Sequence, residues 1–313
     1  MDNRDEVRQF LASRRARITP DQAGLPQYGG SRRVPGLRRA EVALLAGVSP
    51  DYYVRLERGN LTGVSDSVLD AIARALQLDD AERSHLHDLA RAANTTPRTR
   101  RRPGRQQIRP AVQQLLDAMT DAPTFVRNGR LDILASNPLG QALYSPAFAG
   151  QQRPVNLARF CFLDPAAETF YPDWDDAAST TVALLRTEAG RDPYDKSLTD
   201  LVGELVTRSD TFRTLWAAHN VRLHHTGVKQ FRHPVVGLLS LGYEAMPLPA
   251  DPGLTMTAYH AEPESPAQDG LRLLASWAAT STVPTSPPGA TACDSAPSAK
   301  DWPSPPSGSE PWA

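Results

Sequence analysis

The stretch from residue 38 to residue 58, Arg-Arg-Ala-Glu-Val-Ala-Leu-Leu-Ala-Gly-Val-Ser-Pro-Asp-Tyr-Tyr-Val-Arg-Leu-Glu-Arg, allows the backbone very few paths. Its apolar residues recur at helical spacing on either side of Gly47-Val48-Ser49, which predicts two short helices over 38–46 and 50–58. Helices this short must cross at close range to bury anything. Ala43 supplies the small contact residue, and Gly47, four residues later, supplies the left-handed conformation with which the chain leaves the first helix. Val42, Ala46, Val48, Tyr53 and Leu56 then form the seam. The opposite face of the second helix is left to present Ser49, Pro50, Asp51, Tyr52, Val54, Arg55 and Arg58.

Charge gives that face a partner. Residues 1–105 hold 19 Arg, no Lys and 13 acids, a balance of +6, whereas the rest of the chain balances at −7, so the overall −1 hides a split. A basic first third with an acidic remainder is the asymmetry of a chain in which one domain meets a polyanion. A helix of about two turns enters the major groove end-first. Arg55, or Arg58 behind it, is then placed to reach guanine O6 and N7; the competing role for such an Arg is a solvated charge or an ion pair. Arg38 and Arg39, with Arg32, Arg33 and the arginines of the linker, are expected on phosphates. Asp51 either accepts from cytosine N4 or favours the helix N-terminus through the dipole. Tyr52 leans on a sugar-phosphate strand, and Tyr53 packs inside.

Around this unit the 313-residue chain is long enough for two domains. A helix over 5–17, a helix capped by Ser65 and a helix begun by the Asp79/Glu82 capping pair make residues 1–93 an all-α domain. Residues 94–109 contain two Pro, one Gly and six Arg and read as an exposed basic linker. Pro110 opens a helix, and Asn128-Gly129 predicts a type I′ hairpin between strands 124–127 and 130–134. Helical segments follow from 137 to 218, strands over 223–232, 235–246 and 254–260, and a helix over 265–279. Residues 110–280 thus form an α+β domain on an antiparallel sheet. In the tail, 281–313, 8 of the last 32 residues are Pro, which predicts disorder. No apolar run reaches the roughly 18 residues that span a bilayer, no signal peptide is present, and Cys161 and Cys293 form no paired spacing, which together read as a cytoplasmic protein without disulfides.

The segment Gly36-Leu-Arg-Arg-Ala-Glu-Val-Ala-Leu-Leu-Ala-Gly-Val-Ser-Pro-Asp-Tyr-Tyr-Val-Arg-Leu-Glu-Arg-Gly59 resembles the Xre/Cro-type helix-turn-helix family and is especially similar to its MmyB-like branch. Residues 125–137, 212–221 and 231–237 are similar to the PAS-like ligand-binding domain of that branch. The resemblance implies a transcription regulator that binds double-stranded DNA and takes a fatty-acid-like or other apolar small molecule, and because operators are often two-fold symmetric a homodimer is expected. Phe125, Ile133, Trp216, His219, His233, Tyr243 and Tyr259 are the candidate lining residues, although a covered sheet buries aromatics whether or not a ligand is bound.

His219, His224, His225 and His233 cluster in sequence, but the adjacent pair would point to opposite strand faces, and His233, held extended before Pro234, suits a structural hydrogen bond. His219 and His233 stay as candidates for a polar ligand head. Asp173, Asp175 and Asp176 read as the acidic start of a helix. With no nucleophile elbow, phosphate loop or zinc spacing, no cofactor, metal or catalytic residue is expected. The rival readings are a constitutive DNA binder, a protein-interaction module and, behind them, an enzyme carried on the second domain.

Overall fold

A computed structural model describes residues 3–26, 36–94, 107–150, 153–222 and 224–281. The expected tail, most of the linker, and Arg32 and Arg33 lie outside the described residues. The headpiece consists of α1 (Asn3–Arg17), α2 (Arg39–Ala46), α3 (Pro50–Glu57), α4 (Asp66–Ala75) and α5 (Asp80–Asn94). Val7, Phe10, Leu11, Val42, Tyr53, Leu56, Leu69, Ile72, Leu86 and Leu89 close one core between them. The capping pair before α5 forms both arms: the Glu82 N–H donates to Asp79 Oδ1 at 2.8 Å and the Asp79 N–H to Glu82 Oε2 at 3.3 Å. Ser65 stands at the cap position of α4, but its hydroxyl meets Ser67 Oγ at 3.0 Å and makes no capping bond.

Beyond the linker come α6 (Pro110–Ala118), β1 (Thr124–Asn128), β2 (Asp132–Ser136), α7 (Pro138–Leu143), α8 (Ser145–Phe148), β3 (Val155–Asn156), α9 (Leu157–Leu163) and α10 (Ala166–Phe170). These are followed by α11 (Trp174–Arg191), α12 (Lys196–Arg208), α13 (Asp210–Ala217), β4 (Thr226–His233), β5 (Gly237–Pro247), β6 (Leu254–His260) and α14 (Pro266–Ser281). The strands form one antiparallel sheet in the order β3-β2-β1-β6-β5-β4. The two-residue β3 left no sequence signal.

Alternation along β1 places its side chains on two covered faces. Phe125 enters the aromatic core under α7, α10 and α14, while Val126 meets Val112 and Leu116 of α6 on the other side. On β5 only Leu239, Leu241, Tyr243 and Ala245 are buried, so the far half of the sheet is covered on one face. The β1–β2 turn departs from the expected type I′ geometry. The positive φ falls on Leu131, at 66°, the pairing slips between Val126 and Arg127, and the Asn128 side chain accepts from the N–H groups of Arg130 and Asp132. An Asx-type brace therefore replaces the two-residue turn, because Leu131 is drawn into the core of α11–α13.

Headpiece and second domain pack together, and the residues up to Ser281 cluster as one compact unit. Val221 of the second domain inserts into the headpiece core. No helix among the described residues is long and apolar enough to cross a membrane.

Candidate DNA interface and ligand cavity

Gly47 ends α2 with φ 66° and ψ 31°, and its N–H and that of Val48 close back on Leu44 and Ala43 carbonyls. A Cβ at Gly47 would meet nothing within 4 Å, so the position selects glycine for its backbone angle and not for space. Ser49 caps α3 by accepting from the Tyr52 N–H at 3.2 Å, with Pro50 at the first helical position. Val42, Ala43, Ala46, Tyr53 and Leu56 are buried in the seam, and Val48 is partly buried. Ser49, Pro50, Asp51, Arg55 and Arg58 are exposed together on the outer side, with Tyr52 half-buried among them. The Arg55 guanidinium stacks 4.8 Å over the Tyr52 ring, a contact worth about 0.5–1 kcal/mol at an exposed site that narrows the directions in which Arg55 extends.

Arg38 and Arg39 separate in role. Arg38 is exposed, with its own N–H held by Glu41 Oε2 at 2.7 Å. Arg39 gives its Nε to Glu57 Oε2 at 2.5 Å, and Arg15 of α1 takes the other oxygen of the same carboxylate at 2.8 Å. Buried Glu57 thus ties the first three helices together, and only the outer part of the Arg39 guanidinium stays open to solvent. Sequence reading missed Glu57, since a single Glu near a helix end carries no distinguishing pattern.

In the second domain the rings of Phe125, Tyr144, Phe231 and Tyr259 pack at centroid distances of 5.4–6.3 Å, and the Tyr144 and Tyr259 hydroxyls meet at 2.7 Å. Space opens beside this cluster. A cavity of about 470 Å³ lies between the start of α11 and strands β4 and β5, walled by Tyr171, Asp173, Asp176, Thr180, His224, Lys229, Gln230 and Tyr243. A smaller one of about 110 Å³ lies along α11, walled by Arg127, Gly129, Glu188, Arg191, Ala245 and Thr255; Arg222 and His224 line both. A third, of about 1020 Å³, runs along the β2–β3 edge past Ile133, Arg130 and Arg159, and its walls include Gln107, Ile108 and Arg153, which border residues outside the described set.

The expected lining residues are thereby distributed. Tyr243 faces the 470 Å³ cavity, Ile133 the edge groove, and Phe125 and Tyr259 the packed ring cluster. His233 sits between Ser145 Oγ at 3.1 Å and the Ala142 carbonyl at 2.9 Å. Trp216 and His219 lie at the junction with the headpiece. His224 stacks on Tyr243 with its Nδ1 2.8 Å from the hydroxyl, and its pKa is pushed down to about 3 by burial and then by the charges of Lys229 and Arg127. Asp173 caps α11 by accepting from the Asp176 N–H at 3.0 Å, as an acidic helix start requires, and Asp176 pairs with Arg222 at 2.8 Å.

Sequence reading passed over Arg127 and Lys229. The signal was present: each stands two residues from an inward aromatic on its strand, Arg127 from Phe125 and Lys229 from Phe231, which puts both on the covered face.

The junction is a buried polar cluster. Arg186 of α11, with no exposed surface, pairs with Glu6 of α1, donates to the Trp216 carbonyl and lies 4.0 Å over the Trp216 ring. His219 Nδ1 is 2.8 Å from Arg186 and 3.3 Å from Glu6, and His85 of α5 approaches Glu6 at 3.8 Å. Burial alone would raise the Glu6 pKa; contacts from His219 and His85 and the charge of Arg186 hold it well below the usual carboxylate range. One turn on, Gly190 lets α11 close on α5, where a Cβ would come within 2.5 Å of the His85 ring. Arg191 then pairs with Asp88 of α5 at 3.3 Å.

A helix-turn-helix domain profile matches residues 6–86, and the profile of the MmyB-like transcription regulator ligand binding domain matches residues 108–274. No curated protein matches the chain. The second match spans more than half of the 313 residues and the first covers the headpiece, so the chain belongs to the MmyB-like transcription regulators, with a helix-turn-helix DNA-binding domain ahead of the ligand-binding domain.

Proposed function

We propose that this regulator is a cytoplasmic homodimer that reads DNA with α3 and adjusts that reading to a small effector held beside α11. Arg55 contacts a base edge, Arg38 and the outer part of Arg39 contact phosphates, and Ser49, Pro50, Asp51, Tyr52 and Arg58 border the groove. The effector occupies the cavities flanking His224; of the fatty-acid-like molecule that the resemblance implies, their walls suit the carboxylate head better than an alkyl body. The observation that carries the reading is that α11 is a wall shared by both halves. Glu188 and Arg191 face the cavity, while Arg186, Gly190 and again Arg191 touch α1 and α5 of the headpiece. An occupant that shifts α11 therefore acts on the headpiece without an intermediate element.

The DNA half is tested by selecting preferred duplexes from a random pool and measuring anisotropy on them. Arg55→Ala is expected to lower discrimination at one base pair by about 1–3 kcal/mol. Arg38→Ala is expected to weaken all duplexes alike and to make the salt dependence shallower. Arg38 is the better phosphate probe, because removing Arg39 also disturbs Glu57. Unchanged base preference in Arg55→Ala removes that residue from the readout. Binding that does not weaken between 50 and 200 mM salt, on the order of the ionic strengths used for such titrations, favours an interaction module instead.

A further inference from the structure

We propose that the two cavities beside α11, which share Arg222 and His224 as walls, take a compact, ring-bearing carboxylate, with Arg127 as the contact of its carboxylate and Lys229 as the cation beside its ring. This rests on the reading of the second domain as an effector sensor and names the chemistry of the effector.

Two cations stand in costly places, Arg127 buried and Lys229 half-buried. Arg127 points from β1 to the covered side of the sheet and is 8% exposed. Among the described residues its guanidinium makes one long hydrogen bond, to the Asn128 carbonyl at 3.5 Å, and no ion pair. Lys229 points to the same side from β4. Its ammonium lies 4.5 Å over the Tyr171 ring and 5.8 Å over that of Phe231, again with no ion pair among the described residues. Enclosed charges are ordinarily paired, and an unpaired one strongly favours an anion at hand.

The neighbouring charges do not supply that anion. Arg222 and Asp176 neutralise each other, Arg191 is paired with Asp88, and the Asp173 carboxylate is spent on capping α11. Glu188 remains: its charge acts on Arg127, but the two form no ion pair among the described residues, and burial raises the Glu188 pKa. Burial also pushes the Lys229 ammonium down to about 8. The walls thus present two cations that no ion pair among the described residues neutralises.

Shape and chemistry narrow the anion. The planar guanidinium matches a carboxylate in a bidentate pair. The 110 Å³ space at Arg127 suits a head group, and the adjoining 470 Å³ space suits a modest body. That body meets the rings of Tyr171, Tyr243 and His224 together with Thr180 and Gln230, a surface that favours stacking and hydrogen bonding over an alkyl chain.

The test uses the full chain and thermal melting followed by calorimetric titration, with benzoate and 4-hydroxybenzoate as probes. Benzamide, octanoate and inorganic phosphate are the comparison arms. At least one ring carboxylate is expected to raise the melting temperature while the three comparison compounds do not. Affinity should fall about tenfold or more in Arg127→Met and by a smaller factor in Lys229→Met, and Lys229→Arg should keep most of it. A structural role for Arg127 predicts that its loss lowers the melting temperature of the free protein. Relief of an unpaired buried charge predicts that free Arg127→Met melts at or above the parent.

The proposal is overturned if neither ring carboxylate binds, if benzamide, octanoate or phosphate binds as well, if both methionine variants bind within twofold of the parent, or if free Arg127→Met melts lower. Should a ring carboxylate bind as expected while affinity for the selected duplex is unmoved, the anion site stands and the effector response falls.

Discussion

Neutralising Glu6 perturbs the junction between headpiece and second domain with the least change in shape. In Glu6→Gln the side chain keeps its size and an oxygen, but Arg186, which has no exposed surface, loses the carboxylate that balances it. The Trp216 carbonyl and ring and His219 Nδ1 stay in contact with the guanidinium, and none of them carries a full negative charge to replace the lost one. Breaking one side of a buried ion pair costs about 3–5 kcal/mol. At roughly 2–4 °C per kcal/mol for a chain of this size, the melting temperature should fall by on the order of 10 °C. The pH dependence has a fixed sign. Because the Glu6 carboxyl is held below its ordinary value, its contribution is complete above about pH 4.5 and is lost only as pH falls toward the much lower folded value. The gap between parent and Glu6→Gln should therefore be constant from pH 6 to 8, taken as roughly the neutral working range. Urea denaturation of the parent, Glu6→Gln, Arg186→Met and the double variant gives the coupling energy directly. A value above about 1.5 kcal/mol is expected, with the double variant more stable than Glu6→Gln alone. A coupling within about 0.5 kcal/mol of zero would refute the reasoning, because it would make Glu6 and Arg186 independent groups.

Gly47→Ala should cost about 1–2 kcal/mol from the left-handed backbone alone, since space is free around the position, and Gly47→Asn should cost less; equal losses in a denaturation series would show that the angle is not the cause. Acidification should destabilise the second domain through His224. Its folded pKa of about 3 lies below the ordinary value near 6.5, so its contribution is full above about 6.5 and declines as pH falls toward 3. His224→Gln should flatten part of the drop in melting temperature between neutral and mildly acid buffer, and an unchanged slope would remove His224 as a source. Glu57→Gln should loosen α1 and α2 from α3, lowering both stability and affinity for every duplex in the same titrations, whereas a loss confined to one base pair would argue against its role as a tie.

Much of the headpiece was legible because it is built from local signals. The Ala43 and Gly47 spacing and the Asp79/Glu82 pair each specify a backbone event within a few residues, and both take the expected form, whereas the expected Ser65 cap does not form and Ser49 caps α3 instead of only facing outward. The antiparallel sheet was legible through strand periodicity to within a few residues at most ends. Features that depend on distant partners were hidden. Val126 and Arg127 slip in register because Leu131 is pulled toward α11–α13, which no dipeptide signal reports. Trp216 and His219 looked like pocket residues on one strand-rich domain, but the packing of α11 on α1 and α5 turns them to the headpiece junction. Arg127 and Lys229 were readable in principle from alternation with Phe125 and Phe231, though a charged residue at an inward position is easily assigned to solvent.

The shared wall is tested most directly by amide hydrogen exchange across the full chain, with and without a selected duplex. If α11 joins the second domain and the headpiece, duplex binding at α3 should alter protection in residues 183–191 as well as in residues 37–60, since coupling between two sites acts in both directions. Changes confined to residues 37–60, with α11 exchanging identically in both states, would contradict the account.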